Sequence, residues 1–335
     1  MTAYTPLRPV LDGPSWIIGP NPDLTGLLPD PPPGAPPHEC VDHCVYPTDD
    51  GKWHLWGCIR GTSVGRILYH WEGDSLTLPN WTPTGEIIRV DRAAGESVLD
   101  RDGREWIQSP YVVRHAGRYF LFYGGHSTGI DAHGSPVPRG DPRMEGQICL
   151  MTSPDGRAWT RHRNASLRGT GFSRLFTAPG ETRDPCVLNV DGLWHLYYAG
   201  YHDGDRNEAG VYLRTSQDLI HWSDWRLVHQ DKSFGGGPWN TECPCVVERG
   251  GAYYLFRTEH YATRKTHVFR SLDPADFGTG RPGSNARDHY VCDIPVAAPE
   301  IITDPADGAT GGAYITSNHD LLGGTRLFRL RWEQV

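Results

Sequence analysis

Three acidic residues stand at closely matching places in a pattern that the sequence repeats. Asp184 directly precedes a proline, Glu242 stands two residues before one, and Asp42 occupies the matching place in an earlier copy. Carboxyl groups that share one pocket repel each other when ionised, so the pKa of at least one of them rises. The protonated group can then donate a proton while an ionised neighbour acts as base or nucleophile. If the fold brings the three side chains together, they supply the groups needed for acid–base catalysis.

The elements that would position these acids are five copies of one strand–turn–strand unit. The copies cover residues 182–200, 242–256, 108–122, 42–56 and, more loosely, 298–315. Each copy begins with a polar turn, continues as a short strand, turns at glycine or aspartate and returns as a strand rich in aromatic residues. Third and fourth strand signals follow, so each repeat holds about four strands, as in a propeller blade. The sequence therefore predicts an all-β fold, a single five-bladed β-propeller with four-stranded antiparallel blades around a central channel.

Domain boundaries follow from the same repeats. Residues 1–38 contain clusters of proline and predict an extended N-terminal arm. Residues 39–335 predict the propeller, which would be the catalytic domain. Within the arm, residues 15–19 are favourable for a strand that closes the fold against the last repeat. A β-sandwich with accidental internal similarity is the alternative fold.

Composition limits the classes of partner. The 335 residues are 38% hydrophobic and include 12 Trp and 15 Tyr, which is typical of a globular protein. The net charge of −8 argues against nucleic acid or an anionic membrane as a main partner. No apolar run is long enough to span a bilayer, and no secretory signal precedes the repeats, so we expect a cytoplasmic protein. Oligomeric state is left open.

The eight cysteines are interpreted as structural free thiols. Cys44, Cys186 and Cys245 align at one repeat position, which indicates a small apolar residue selected for packing. The spacings of Cys40-x3-Cys44 and Cys243-x-Cys245 do not match those of common zinc sites.

Side chains at the repeated position are expected to lie together at the channel, where they could share a chemical role. In a propeller the innermost strands begin at one end of the channel, so residues at one repeat position meet around the axis. The second and fifth repeats have Ser109 and Ala298 where the others bring Asp42, Asp184 and Glu242. A purely structural position would be expected to keep one residue type, so this asymmetry indicates a functional site.

Glycoside hydrolysis is the chemistry that best fits three converging acids. It requires two carboxyl groups flanking the scissile bond, one protonated as acid and one ionised as base or nucleophile. Glu242 is the candidate acid because its longer side chain extends from the rim, and Asp42 is the candidate nucleophile or base. Asp184 would orient substrate hydroxyls, with Arg183 nearby to keep it ionised.

The local motifs resemble two families of propeller enzymes. Arg183-Asp184-Pro185 and Glu242-Cys243-Pro244 resemble motifs of glycoside hydrolase family 32, the invertases and fructosidases. The order Asp, Asp, Glu over one five-bladed propeller is equally similar to family 43, the arabinanases, arabinofuranosidases and xylosidases. The resemblance covers residues 39–335 and implies the nucleophile or base role for Asp42, the stabilising role for Asp184 and the acid role for Glu242.

The sequence also departs from both families, which predicts a divergent member. Family 32 has Asn-Asp-Pro-Asn-Gly around the nucleophile, whereas this chain has Val41-Asp42-His43. Family 43 has Glu-Gly-Pro at the acid, where this chain has a cysteine in the middle position. The C-terminal β-sandwich of family 32 would also be missing.

A second set of residues is predicted to bind the sugar. Aromatic faces stack on sugar rings, while amides and charged groups bind hydroxyls. The candidates at the channel mouth are Trp106, Gln108, Ser109, Arg183, Trp239, Asn240 and His319. For the tryptophans, packing between blades is the alternative role.

His319 also raises the question of a metal. A histidine late in the fifth repeat could hold a metal or a water in the channel, and the resemblance to family 43 implies an axial calcium as one possibility. One histidine without a flanking ligand set is more typical of a structural residue. We therefore predict no metal ligands and no cofactor, with structural calcium as the alternative.

The sequence thus predicts a glycoside hydrolase that cleaves a furanoside or related exo-linked sugar, with a small carbohydrate as its partner. One alternative keeps the scaffold but changes the reaction, to a phosphorylase, transglycosidase or biosynthetic tailoring enzyme. Its phosphate or acceptor pocket could be lined by Arg60, Arg257 or Arg264. The other alternative is a sugar-binding propeller without catalysis.

Overall fold

A computed structural model describes residues 5–94, 96, 104–125, 145–163, 173–180, 182–202, 209–234, 240–304, 313–319 and 323–335. The chain folds into five separate sheets whose main paths each contain four antiparallel strands. The five-bladed β-propeller predicted from the repeats is therefore confirmed. Prediction of a β-rich fold succeeded because each copy carries its own strand and turn signals.

The first two blades follow the N-terminal strand β1 (Leu7–Pro20). Their strands are, in chain order, β2 (Glu39–Pro47), β3 (Trp53–Thr62), β4 (Gly65–Gly73), β5 (Thr82–Ile88), β6 (Glu105–Trp106), β7 (Gln108–His115), β8 (Arg118–Gly125), β9 (Glu145–Ser153), β10 (Thr160–Arg161) and β11 (Arg174–Pro179). The first blade has the order β2-β3-β4-β5, with β6 added parallel to β4. The second has the order β7-β8-β9-β10, with β11 also pairing with β9.

The remaining three blades complete the ring. Their strands are β12 (Thr182–Val190), β13 (Leu193–Gly200), β14 (Gly210–Ser216), β15 (Arg226–His229), β16 (Glu242–Arg249), β17 (Ala252–His260), β18 (Lys265–Ser271), β19 (Tyr290–Ile294), β20 (Ile301–Thr303), β21 (Ala313–Ser317) and β22 (Gly324–Gln334). The third and fourth blades take four consecutive strands each. In the fifth, β22 pairs with β1, so the first strand of the chain supplies the outer strand of the last blade. The described helices are short, α1 (Ala286–His289) and two 3₁₀ turns (Arg92–Ala94 and Lys232–Phe234).

Four of the innermost strands carry the same β-bulge near their start. In β2, β7, β12 and β16, three steps along the inner strand match two steps along its neighbour. A bulge of this kind redirects side chains and is common next to active sites. Ser109, Asp184 and Cys243 stand in the left-handed region there, with φ of 52°, 58° and 48°, and Ala298 matches them at 48°. Non-glycine residues rarely adopt this conformation without a functional or structural cause.

The bulge corrects the alignment of the first blade by one residue. In β2 it spans Cys40 to His43, so His43 occupies the place of Cys186 and Cys245. The prediction that Cys44 shares their position is therefore wrong. The turn between Pro47 and Trp53 has five residues where the turn between Val190 and Leu193 has two, so the single extra residue assumed in the alignment of the first copy was also wrong.

Apolar clusters between neighbouring blades hold the ring together. One cluster joins Phe122 and Leu150 of the second blade to Leu196 and Tyr212 of the third. All eight cysteines have free thiols, and six are buried. Among the described residues, no helix is long and apolar enough to cross a membrane.

Candidate active site

Three blades bring their acidic side chains to one end of the central channel. Asp42 lies in β2, Asp184 in β12, and Glu242 is the first residue of β16. These residues are 7%, 5% and 6% exposed, respectively. We name this cluster, together with Cys243, the mouth of the channel. Burial of three acids in one cluster requires specific partners, because an unpaired buried charge is costly.

Ser109 links the two aspartates. Its hydroxyl lies 3.2 Å from Asp42 Oδ2 and 2.6 Å from Asp184 Oδ1. The backbone N–H of Cys243 donates to Asp184 Oδ2 at 2.9 Å. The left-handed residues of the second, third and fourth blades therefore contact one another through short polar links, and Asp184 has a fixed orientation.

Glu242 is held by a cation and a phenol. Arg183, which is 1% exposed, forms an ion pair with Glu242 and lies 3.7 Å from Asp184 Oδ2. The hydroxyl of Tyr261 donates to Glu242 Oε2. Burial raises the pKa of Glu242 to about 7, although the charge of Arg183 opposes this shift, and the charge of Asp184 adds to it. Near neutral pH this carboxyl group is therefore partly protonated.

Asp42 has the opposite electrostatic character. Burial opposes its ionisation, but the neighbouring His319, the charge of Arg66 and the hydroxyl of Ser109 together hold its pKa below its usual range. His319 Nε2 lies 3.5 Å from Asp42 Oδ1. Cys243 Sγ approaches the same Asp42 oxygen at 3.6 Å. Asp42 is therefore an ionised carboxylate, whereas the pKa of Glu242 is about 7.

Tyr261 connects the two halves of the mouth. Besides donating to Glu242, its hydroxyl lies 3.6 Å from Cys243 Sγ. Its ring stacks on His319 with centroids 3.8 Å apart and planes 17° apart. Burial raises the pKa of Tyr261 well above its usual value, so the phenol remains a donor. Asp42 and Glu242 are thus joined by a chain of contacts through Cys243 and Tyr261.

The channel at the mouth is a narrow cavity that opens to solvent and is lined in part by Asp42, Asp184 and Cys243. Its next layer, which we name the floor, contains His43, Tyr111, Cys245 and Glu300. Each is the first residue beyond the bulge or its equivalent in its blade. All five blades contribute to this cavity when the mouth residues are included.

Two predicted sugar-binding residues, Gln108 and Ser109, begin β7 of the second blade, and a third, Trp106, lies in β6 on the sheet of the first blade. Ser109 contacts Asp42 and Asp184 of the mouth. Gln108 is 1% exposed and accepts hydrogen bonds from Arg66 and, at 2.8 Å, from the indole of Trp106. The Arg66 guanidinium lies 4.3 Å from the Trp106 ring centroid. In this structure Gln108 orients Arg66 and Trp106, so its side-chain oxygen is already occupied.

The remaining predicted residues divide between the mouth and its surroundings. Arg183 and His319 contact the catalytic candidates directly. Asn240 is half-buried, and its backbone carbonyl accepts a hydrogen bond from Arg257. Trp239 lies outside the described residues.

Two of the arginines proposed for a phosphate pocket contact other groups in this structure. Arg257 is fully buried, and its guanidinium donates to the carbonyls of Asn240 and Phe234. Arg60 forms an ion pair with Glu39. These contacts give no support for a shared phosphate site formed by Arg60 and Arg257.

Tyr261 and Arg66 are the site neighbours that sequence reasoning missed. Tyr261 directly follows β17, whose end lies at the mouth because β17 runs antiparallel to β16. The signal that could have identified it was its place at a second-strand end, next to His260. Arg66 comes from β4, and no repeat position marks it.

Comparison with known proteins adds structural relatives. No protein-family model and no curated protein sequence matches the chain. An exo-1,5-alpha-L-arabinanase from a bovine ruminal metagenomic library aligns with a TM-score of 0.56 at 16% identity, covering 87% of this chain and 92% of that chain. An alpha-L-arabinofuranosidase from Lactobacillus brevis aligns with a TM-score of 0.57 at 10% identity, covering 87% and 90%. A GH43 enzyme from Xanthomonas citri in complex with xylose gives 0.54 at 15% identity, covering 88% and 87%.

These similarities extend over nearly the whole chain and agree with the propeller topology. At such low identity they show a shared fold. The chemistry has to be argued from the mouth itself.

Proposed function

We propose that this protein is a glycoside hydrolase that cleaves a furanoside or a related exo-linked sugar at the mouth of its propeller. Glu242 would act as the proton donor and Asp42 as the nucleophile or base. The observation that carries the proposal is the convergence of these carboxyl groups, from two different blades, into one buried cluster.

The electrostatic difference between the two groups supports this assignment of roles. A glycosidase needs one carboxyl group that holds a proton and one that is ionised. Burial and Asp184 raise the pKa of Glu242 to about 7, against the effect of Arg183. Asp42 stays ionised because His319, Arg66 and Ser109 outweigh its burial. Environments that separate two pKa values in this way are typical of acid–base pairs.

Asp184 would serve as the third acid, binding sugar hydroxyls and fixing the geometry. Two of its oxygens already accept from Ser109 and from the Cys243 N–H. A substrate hydroxyl that replaces the Ser109 contact would find an oriented acceptor. Arg183, which touches both Asp184 and Glu242, would keep the acceptor charged while the proton moves at Glu242.

The likeness to family 43 enzymes supports a pentose as the first sugar to test. The structural neighbours include an arabinanase, an arabinofuranosidase and an enzyme solved with xylose. Neither the fold nor the identity selects between furanose and pyranose rings. The preference for a furanoside therefore rests on the resemblance of the sequence motifs.

A panel of substrates tests the proposal. Nitrophenyl furanosides and pyranosides, arabino- and xylo-oligosaccharides and sucrose are incubated with the wild type and with Asp42→Asn. We expect hydrolysis of one sugar class by the wild type and its loss in the variant. Glu300→Gln, which alters a buried glutamate outside the mouth, is the matched control and should retain activity.

The anomeric form of the first product, followed by NMR, then defines the stereochemical course. Retention would indicate carboxyl groups about 5–5.5 Å apart in the complex, and inversion about 6.5–9.5 Å. If a folded protein hydrolyses nothing in the panel, the same substrates are offered with phosphate or sugar acceptors. Turnover only under those conditions would replace hydrolysis by phosphorolysis or transfer.

A further inference from the structure

The donor atoms at the mouth do not fit the calcium ion that the fold family implies. Calcium takes about six to eight oxygen ligands at about 2.3–2.6 Å. Here two carboxylates and the thiol of Cys243 form the cluster, and the imidazole of His319 lies beside one of these carboxylates, Asp42. Thiolate and imidazole are ligands that zinc and other borderline or soft ions prefer.

The distances in the cluster suit a small tetrahedral ion. Oxygen atoms of Asp42 and Asp184 and the sulfur of Cys243 all lie within 4.8 Å of one another. Asp42 Oδ1 is 3.6 Å from Cys243 Sγ and 3.5 Å from His319 Nε2. Tetrahedral zinc, with bonds of about 2.0–2.3 Å, places neighbouring ligand atoms roughly 3.3–3.7 Å apart. Two ligand–ligand separations are therefore already those of such a complex.

His319 provides an independent indication of a ligand. It is 6% exposed, yet neither ring nitrogen has a hydrogen-bond partner among the described residues. Buried polar atoms are nearly always hydrogen-bonded, so this imidazole requires an explanation. Its backbone is left-handed, with φ of 72°, and the stacked ring of Tyr261 fixes its plane. The side chain is thus held with Nε2 toward Asp42 and without a closer partner.

The charge of the cluster also favours a cation. Arg183 lies 3.7 Å from Asp184 but is shared with Glu242. Arg66 acts on Asp42 only through its charge, because its guanidinium donates to Gln108. A divalent ion between Asp42 and Asp184 would neutralise the two acids where those arginines do so only partly.

We propose that Asp42, Asp184 and Cys243, with His319 beside Asp42 as the fourth ligand, form a binding site for a borderline transition-metal ion, of which Zn²⁺ is the prototype. Binding of the ion requires no catalytic activity. Its consequence for activity rests on the proposed function: a metal on Asp42 occupies the nucleophile or base and inhibits hydrolysis. The thiol loses its proton to solvent when the metal–sulfur bond forms.

Cobalt(II) substitution tests the site without reference to activity. The full-length protein is freed of metal with a chelator, dialysed and titrated with Co²⁺ while its absorption spectrum is recorded. We expect saturation at one equivalent, tetrahedral visible bands, and a near-ultraviolet band from thiolate-to-cobalt charge transfer. Zn²⁺ added afterwards should remove all of these bands, and Ca²⁺ should leave them unchanged.

Two cysteine variants make the assignment specific. Cys243→Ser should lose the charge-transfer band and bind at least about tenfold more weakly, whereas Cys292→Ser, which alters a half-buried thiol of β19, should match the wild type. His319→Gln should retain the charge-transfer band with weaker binding, and it provides a second test if Cys243→Ser fails to fold. No band in the folded wild type, or an unchanged band in Cys243→Ser, would overturn the proposal.

Failure of this site and failure of the proposed function are separable. Hydrolysis that requires Asp42, in a protein that gives no cobalt spectrum, would remove the metal site and leave the glycosidase intact. A cobalt spectrum in a protein that hydrolyses no glycoside would leave the metal site and remove its inhibitory role. Where both are present, micromolar Zn²⁺ should inhibit the wild type, and the inhibition should weaken at least about tenfold in Cys243→Ser.

Discussion

The mouth and the floor of the channel each contain a buried glutamate, and the two have different surroundings. Glu242 contacts Arg183 and Tyr261 and lies near Asp184. Glu300 is 8% exposed, and its carboxylate has one hydrogen bond among the described residues, in which Oε2 accepts from the Val45 N–H at 2.8 Å. Burial raises the pKa of both, and in Glu300 it does so without a nearby cation.

The comparison shows that burial of a carboxyl group does not by itself indicate catalysis. Glu300 joins the fifth blade to β2 of the first through its contact with the Val45 N–H, so it helps to close the ring. Glu242 has its pKa set by opposing charges and lies within a chain of contacts to Asp42 through Tyr261 and Cys243. What distinguishes the proposed catalytic position is a set of charged partners from several blades.

The largest expected difference is in catalysis. Glu242→Gln and Asp42→Asn should each reduce kcat/KM on oligosaccharide substrates by about 10²–10⁴, because each removes an acid–base group. Glu300→Gln should stay within about threefold of the wild type, since the side chain lies outside the mouth and its amide oxygen can accept from Val45. Steady-state kinetics on the three purified variants measures the contrast. Equal losses in all three would mean that the mouth and the floor do not differ as described.

The next effect is on stability at the mouth. Arg183→Gln should lower the free energy of unfolding by about 3–5 kcal/mol, because it leaves buried carboxylates without their cation. Urea denaturation followed by tryptophan fluorescence measures this loss. Adding Glu242→Gln in the same chain should recover part of it, since one of the unpaired acids is then neutral. A double variant no more stable than Arg183→Gln would contradict the pairing.

A smaller effect is expected at the floor. Glu300→Ala should cost about 1–3 kcal/mol of unfolding free energy, because the Val45 N–H is left buried and without its acceptor. Glu300→Gln should cost less than about 1 kcal/mol, since its carbonyl oxygen can replace the lost acceptor. The same urea titrations compare the two. Equal destabilisation by alanine and glutamine would show that the hydrogen bond is not what joins these blades.

The last expected difference is in how the stability of the wild type and of Glu300→Gln depends on pH. Burial raises the pKa of Glu300 well above its usual value, so the folded state keeps a proton that the unfolded chain loses above pH about 4.3. The folded state then binds more protons than the unfolded state, and its stability falls as pH rises. Glu300→Gln removes this dependence, so the variant should gain stability relative to the wild type between pH 5 and pH 8. A constant difference across that range would mean that Glu300 is ionised in the folded protein.

Much of this architecture could be predicted because each blade of a propeller is encoded by a similar stretch of sequence. Each copy encodes its strands and turns locally, and the convergence of Asp42, Asp184 and Glu242 follows from the position of the inner strands. What the repeats do not encode is the set of contacts between blades. Tyr261 and Arg66 reach the mouth from other strands, and no repeated motif marks them.

The alignment of the first blade failed for a related reason. The repeat was aligned through residue types, and this placed Cys44 with Cys186 and Cys245. The backbone bulge, which places His43 there, depends on pairing with β3 and is not visible in single-residue similarity. Residues 7–20 form the outer strand of the last blade, which is far from them in sequence. Only a short apolar run in the sequence indicated this pairing.

The proton-donor role of Glu242 is tested most directly by the leaving group of the substrate. A general acid matters when the departing oxygen is basic and matters little when the leaving group is already stable as an anion. The measurement is kcat/KM of the wild type and Glu242→Gln on dinitrophenyl, nitrophenyl and alkyl glycosides of the hydrolysed sugar. We predict a loss of about 10²–10⁴ on the alkyl glycoside and a far smaller loss on the dinitrophenyl glycoside. Equal losses across the series would contradict the assignment of Glu242 as the acid.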